Sequence, residues 1–275
     1  MSYASLNNEG DEVFGPSNEN VGQKRFADFD LKEHVFVVTG GASVYCLDRA
    51  PSPTAEWNEA QKRVATDWGG ALDYQRVDVD DTADLDKTIT DIASKHQRLD
   101  GLMAAAAIQK IQPAVEYGAE DLMQMMAINY KGVYMSATSA ARQMMKYKCH
   151  GSICFVASMS GLIANKGLLS SVYNSSKAAL IQLARNLAME WSPIKEDGTG
   201  GIRVNCLSPG HVLTPMVRKN LDDDPGLQGM WESENMMHRL ARPDEFKSAG
   251  LFLLSRASSF MTGNNLVIDG GHTGW

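Results

Sequence analysis

Cysteine is scarce in this chain: four in 275 residues, scattered at Cys46, Cys149, Cys154 and Cys206. No two of them form a Cys-x-x-Cys and none has histidines at zinc spacing, so neither a disulfide framework nor a structural zinc site is expected. The thiols read as reduced, in a cytoplasmic setting. His150, His211, His238 and His272 form no ligand cluster, so no metal is expected. A surplus of basic residues is missing too. The formal net charge is −7, which argues against nucleic acid or an anionic membrane surface as partner. No apolar run approaches the roughly 20 residues of a membrane span. The first 34 residues lack the apolar core of a signal peptide. Polar and rich in Asn, Glu and Gly, they read as a loose arm pinned at Phe26 and Phe29. Internal repeats and low-complexity tracts are also lacking.

What is present is one large domain, residues 35–275. Its length and its 44% hydrophobic content supply a substantial core. Strand-like runs fall at 35–39, 44–48, 72–79, 99–106, 152–157, 202–207 and 265–268. Helix-like runs fall between them at 56–68, 82–95, 119–147, 173–191 and 243–254. The alternation predicts a doubly wound parallel α/β sheet with helices on both faces. The run 119–147 is one long helix, or two joined near Asn129. Residues 214–240 form a polar, Met-rich excursion and read as a mobile lid.

Chemistry concentrates at Tyr173-Asn174-Ser175-Ser176-Lys177. Four residues is one helical turn, so Tyr173 and Lys177 leave the same face. An ammonium beside a phenol favours the phenolate, whose unperturbed pKa is about 10, and that predicts a proton donor and acceptor usable near neutral pH. Ser158-Met159-Ser160-Gly161 follows the fifth strand. Asn129-Tyr130-Lys131-Gly132 lies within a helix, where Asn is disfavoured and needs a local reason. Ser208-Pro209-Gly210-His211-Val212-Leu213-Thr214 follows the sixth strand; its proline and glycine fix a turn that can approach a ligand closely. Asp48 ends the second strand, where a carboxylate can accept from ribose hydroxyls and repel a 2′-phosphate.

In this order, over residues 35–271, these motifs resemble the short-chain dehydrogenase/reductase family, classical type, in its fungal polyol dehydrogenase-like form. The resemblance implies a Rossmann-like fold and NAD(P)-dependent interconversion of a secondary alcohol and a ketone. The substrate would be a polyol, a sugar or a secondary metabolite, and the enzyme a homo-oligomer, dimer or tetramer. Tyr173 would exchange a proton with the substrate oxygen. Lys177 would lower the tyrosine pKa and bind the nicotinamide ribose. Asn129 would bend its helix and hold a relay water. A serine would polarise the substrate oxygen. Ser160 stands thirteen residues before Tyr173, the spacing of many members. The longer loop 162–172 resembles the polyol type, which uses the first serine and so favours Ser158. For the cofactor, Thr39 and Gly40 would open the phosphate turn, Asp48 would hold the adenosine ribose, and Asp78 and Val79 would flank the adenine. Pro209, Gly210, Val212 and Thr214 would present backbone to the nicotinamide amide. Asp48 leans the choice to NAD over NADP, with Arg49 a partial offset.

The chain departs from the family in one place. The expected Thr-Gly-x-x-x-Gly-x-Gly turn begins as Thr39-Gly40-Gly41-Ala42 and passes directly to Ser43 and the second strand. Thr39 to Asp48 is nine positions. The first β-α-β crossover thus reads as truncated, without its glycine loop and first helix. Parallel neighbours usually need a crossover of a dozen or more residues, so an antiparallel hairpin or a distorted pair is predicted for the first two strands. Ala104-Ala105-Ala106-Ala107 stands where the family has Asn-Asn-Ala-Gly. Two readings follow. The chain is an oxidoreductase with a truncated or exon-skipped connection. Alternatively, it is a pseudoenzyme or inactive partner subunit that has lost cofactor binding.

Overall fold

Strands and helices alternate through the computed structural model, which describes residues 35–37, 43–68 and 70–275. The expected arm, 1–34, and the turn residues Thr39 and Gly40 lie outside the described residues. The strands are β1 (Val35–Val37), β2 (Ser43–Asp48), β3 (Ala71–Arg76), β4 (Gly101–Ala104), β5 (Ser152–Val156), β6 (Arg203–Pro209) and β7 (Asn265–Ile268). The helices are α1 (Trp57–Trp68), α2 (Thr82–His96), α3 (Ala119–Met126), α4 (Val133–Lys146), α5 (Ser171–Trp191), α6 (Pro215–Asp223), α7 (Gly226–Ser233) and α8 (Lys247–Leu254). The sheet order is β3-β2-β1-β4-β5-β6-β7 and every pairing is parallel. This is the doubly wound sheet, with its topological switch between β1 and β4.

The expected antiparallel or distorted first pair is corrected. Val35, Phe36 and Val37 run parallel to Ser43, Val44 and Tyr45, in register. Each strand is also held from its other side: β2 pairs along all six residues with β3, and β1 pairs with β4. Reach does not forbid the connection. Going back two residues and across one strand spacing is about 8 Å, whereas six extended Cα steps span up to about 20 Å. The usual dozen residues reflect a helix that covers the face, not the distance to be crossed.

Central parallel strands need apolar residues on both faces, and β5 is buried through Ser152–Phe155. On one face Ile89, Val133, Met144, Ile153, Phe155, Leu180 and Leu187 pack beneath α2, α4 and α5. On the other, Val44, Cys46, Cys154, Leu207 and Leu253 pack with α1 and α8. Strand alternation explains the split: Val44 and Cys46 point one way, Tyr45 the other.

Two strands are shorter than expected. The strand expected to end at 79 stops at Arg76, and the one expected over 99–106 is Gly101–Ala104. Asp78, Val79 and Ala105 to Ala107 therefore lie in loops at the carboxyl edge. The run 119–147 is α3 and α4 joined by a π-helical turn, Ala127–Gly132, an insertion frequent at functional sites. Residues 214–240 are two helices. Thr214 caps α6 with its side chain, and Pro215 sits at the first helical position. Leu227 and Trp231 of α7 pack with Leu168 and Leu240 in a separate apolar cluster.

Candidate active site

The carboxyl ends of the strands carry the site. Ser158 lies two residues beyond β5 and caps a short 3-10 turn, its Oγ accepting from the Ser160 amide at 3.1 Å. Tyr173 is in the first turn of α5, and the Ser158 hydroxyl is near enough to its phenol to act on the phenol's pKa. Ser160 goes elsewhere. With Asn165, Leu168, Asn174 and Ala178 it lines a separate cavity of about 550 Å³ that neither Tyr173 nor Lys177 lines. The helical period accounts for the division: Asn174 and Ala178 lie on a face far from that of Tyr173 and Lys177.

Lys177 is 2% exposed. Its Nζ donates to the Val156 carbonyl at 2.7 Å and lies 5.6 Å from the centre of the Tyr173 ring. Burial pushes the lysine down to about 8. Tyr173 moves in the direction opposite to the one expected. Burial raises its pKa above the ordinary phenol value, and the nearby Ser158 hydroxyl offsets only part of that. The expected lowering by Lys177 is thus corrected. The ammonium is directed at a backbone carbonyl at the end of β5, and desolvation of the phenol dominates.

Asn129 is fully buried in the π-helical turn. Its side chain clamps the loop after β4: Oδ1 accepts from the Ile108 amide at 2.8 Å and Nδ2 donates to the Ile108 carbonyl at 3.0 Å. Nδ2 also donates to Ser176 Oγ at 3.0 Å, and the Ser176 hydroxyl donates to the Tyr173 carbonyl at 2.7 Å. Asn129 is thereby tied to the helix turn that bears Tyr173. Ser176 was not singled out from the sequence. Its place three residues after Tyr173 was a signal, but its partner on another helix was not.

The turn after β6 is held from several directions. The Gly210 amide donates to the Ile268 carbonyl at 2.9 Å. A Cβ at Gly210 would lie 2.7 Å from Asp269 Cα, so glycine is required by close backbone approach. Pro209 ends β6, and Val212 is buried and forms an isolated parallel bridge with Ala241. The Thr214 amide donates to the Val212 carbonyl at 2.6 Å, while its hydroxyl caps α6. His211 stacks on Trp231 with ring centres 3.9 Å apart and 9° between planes. Burial there pushes its pKa down to about 3.

At the other end, Asp48 is exposed at the tip of β2, with Oδ1 accepting from the Ala50 amide at 2.8 Å. Arg76 is its cross-strand partner in the register. Asp78 Oδ1 accepts from the Asp80 amide at 3.0 Å and closes a local turn. Between the two ends, Leu47, Val79, Ala104, Ala106 and Gly132 border an apolar cavity of about 50 Å³. A Cβ at Gly132 would lie 2.8 Å from Val79 Cγ2. An exposed carboxylate, a small apolar slot and a buried lysine thus stand along one sheet edge at the switch point. This donor set fits a dinucleotide. Among the described residues no group of three or more His, Cys, Asp or Glu could hold a metal ion. No helix among them is long and apolar enough to cross a membrane.

Comparison with known proteins agrees with this geometry. Residues 37–273 match the family model described as "Enoyl-(Acyl carrier protein) reductase". The "Short chain dehydrogenases/reductase notP'" of Aspergillus versicolor is 41% identical over 243 residues, covering 88% of this chain and 82% of that protein. A D-arabinitol 2-dehydrogenase (ribulose-forming) of Candida albicans is 34% identical over 245 residues, covering 86% of this chain and 85% of the relative. A gluconate 5-dehydrogenase from Burkholderia cenocepacia, solved with NADP and tartrate, superimposes with a TM-score of 0.77 at 26% identity, covering 90% of this chain and 98% of the other. The non-catalytic reading finds no support among these matches. The chain belongs to the short-chain dehydrogenase/reductase family and is an oxidoreductase that interconverts small-molecule secondary alcohols and ketones with a nicotinamide cofactor.

Proposed function

We propose that this enzyme oxidises a secondary hydroxyl of an acyclic polyol, and reduces the corresponding ketose, with NAD as the preferred cofactor. The carrying observation is the buried Lys177 one turn below Tyr173, with its Nζ 5.6 Å from the centre of the Tyr173 ring, and Ser158 close enough to the phenol to act on its pKa. The resemblance to arabinitol and galactitol dehydrogenases supports the substrate class. Hydride transfer at the substrate carbon is the chemistry the cofactor supplies when bound. Asp48, Asp78 and Val79 would hold its adenosine end. Lys177, Pro209, Gly210, Val212 and Thr214 would hold its nicotinamide end, and Thr39 and Gly40 would lie near its phosphates. The exposed Asp48 carboxylate supports NAD by disfavouring a 2′-phosphate.

In the reductive direction Tyr173 gives its phenolic proton to the carbonyl oxygen. Its raised pKa keeps that proton on Oη at neutral pH. Ser158 donates to the same oxygen as charge develops there. Lys177, charged below about pH 8, would bind the nicotinamide ribose from its place 5.6 Å from the Tyr173 ring. Asn129 keeps this turn in place through Ser176. In oxidation the proton returns to Tyr173.

The protein is read as a cytoplasmic homo-oligomer. Exposed Met123, Leu162, Leu169 and Met189 on or beside α3 and α5 support a subunit contact there. The functional test is NADH formation at 340 nm with D-arabinitol and galactitol, for the wild type and Tyr173→Phe. Loss of proton transfer lowers turnover by roughly 10²–10⁴-fold. A Tyr173→Phe protein with wild-type turnover would remove the tyrosine from the mechanism.

A further inference from the structure

A side-chain bond joins the lid to the loop after β4: Asn220 Nδ2 on α6 donates to Gln109 Oε1 at 3.0 Å. Both residues are half-buried. Their positions follow from the elements that carry them. Gln109 directly follows Ile108, whose amide and carbonyl are both clamped by Asn129. Asn220 lies on α6, which starts at the Thr214 cap and is held by Val217 and Leu221 against the apolar cluster of Trp231. Asn220 is three residues from Val217 and one from Leu221, so it leaves the helix beside the packed stripe. The bond therefore runs from the loop braced behind Tyr173 to the helix that follows the turn after β6.

The pair is incompletely used. Apart from this bond, neither side chain makes a hydrogen bond among the described residues. Gln109 keeps its Nε2 donors and Asn220 keeps its Oδ1 acceptor. Neither amide carries charge, and neither is sealed from water. A donor and an acceptor held side by side match a hydroxyl, which gives one hydrogen and accepts another.

We propose that Gln109 and Asn220 form the substrate-selecting clasp of the lid: they bind each other when the cleft is empty, and hydroxyls of a polyhydroxylated substrate, remote from the reacting carbon, when it is filled. The proposal rests on the polyol reading above. It makes the pair responsible for preferring a polyol over a secondary alcohol with one hydroxyl. Removing it takes away binding made equally in ground and transition states, so the loss falls on KM, not kcat.

The test compares Asn220→Leu, Gln109→Leu and the double variant with the wild type, using D-arabinitol, galactitol and cyclohexanol. Hydrogen exchange of residues 215–223 is followed in parallel. About a tenfold or greater rise in KM for the polyols is expected, with kcat and the cyclohexanol parameters nearly unchanged. The double variant should lose little more than either single one, because each partner works through the other. Exchange over α6 should quicken in the empty protein. Equal losses on all three substrates would make the pair merely structural and overturn the proposal, as would unchanged polyol KM. A wild type that prefers cyclohexanol to both polyols would instead overturn the polyol reading, and the proposal with it.

Discussion

Replacing Lys177 by methionine should make the protein more stable at neutral pH while removing its activity. Lys177 is 2% exposed and its pKa falls from 10.5 to about 8 on folding. The sign follows from proton counts. Between about pH 8 and 10.5 the unfolded lysine holds a proton that the folded one has lost, so stability rises with pH across that window. Below about pH 8 both states are protonated and the full burial penalty is present. At 1.36 kcal/mol per pKa unit the penalty is about 3 kcal/mol. Methionine fills a similar volume without charge. It leaves the Val156 carbonyl without its 2.7 Å donor, which costs about 1 kcal/mol. The net gain at pH 7 is about 2 kcal/mol, or about 5 °C in Tm for a domain of this size. The gain should shrink above pH 8 and reverse near pH 10, where the wild type has shed its buried charge. Urea unfolding of both proteins at pH 7 and pH 10 measures it. A Lys177→Met protein less stable than the wild type at pH 7, or a gap that ignores pH, would refute the reasoning.

Two further outcomes follow from the same site. Reductive kcat/KM should fall as pH rises through about 8, because Lys177 loses its charge there, whereas oxidation should climb into the alkaline range because Tyr173 is a weaker acid than free phenol. A reductive rate that increases from pH 8 to 10 would contradict both assignments. Asn129→Ala should lower stability by about 2–4 kcal/mol by stranding both backbone groups of Ile108 and the Ser176 bond, and should reduce turnover at least tenfold. An unchanged urea midpoint would mean that the loop after β4 is held by something else.

The fold was largely legible because its signals are local. Seven apolar runs separated by helical runs force a covered parallel sheet, and the structure has seven parallel strands. The ends of β3 and β4 were not legible, since pairing stops where the neighbouring strand stops, and that neighbour is remote in sequence. The parallel pairing of β1 with β2 was misjudged for a related reason. A short connection favours a hairpin only when nothing else holds the two strands. Here β3 and β4 hold them from outside, and six backbone pairs between β2 and β3 outweigh the preference of a turn.

The site divides along the same line. That Tyr173 and Lys177 share a face follows from a spacing of four, whereas the choice between Ser158 and Ser160 rested on loop length alone. The sign of the tyrosine shift does not follow from spacing. Two groups one turn apart interact according to where each is aimed, and Lys177 is aimed at Val156 on a strand that the spacing says nothing about. The sequence could place the charge near the phenol but not the desolvation of the phenol itself, and desolvation is the larger effect. The consequence is chemical. A phenol made harder to ionise keeps its proton further into the alkaline range. The tyrosine becomes an effective base only when additional positive charge, or the substrate hydroxyl itself, stabilises the phenolate beside Ser158.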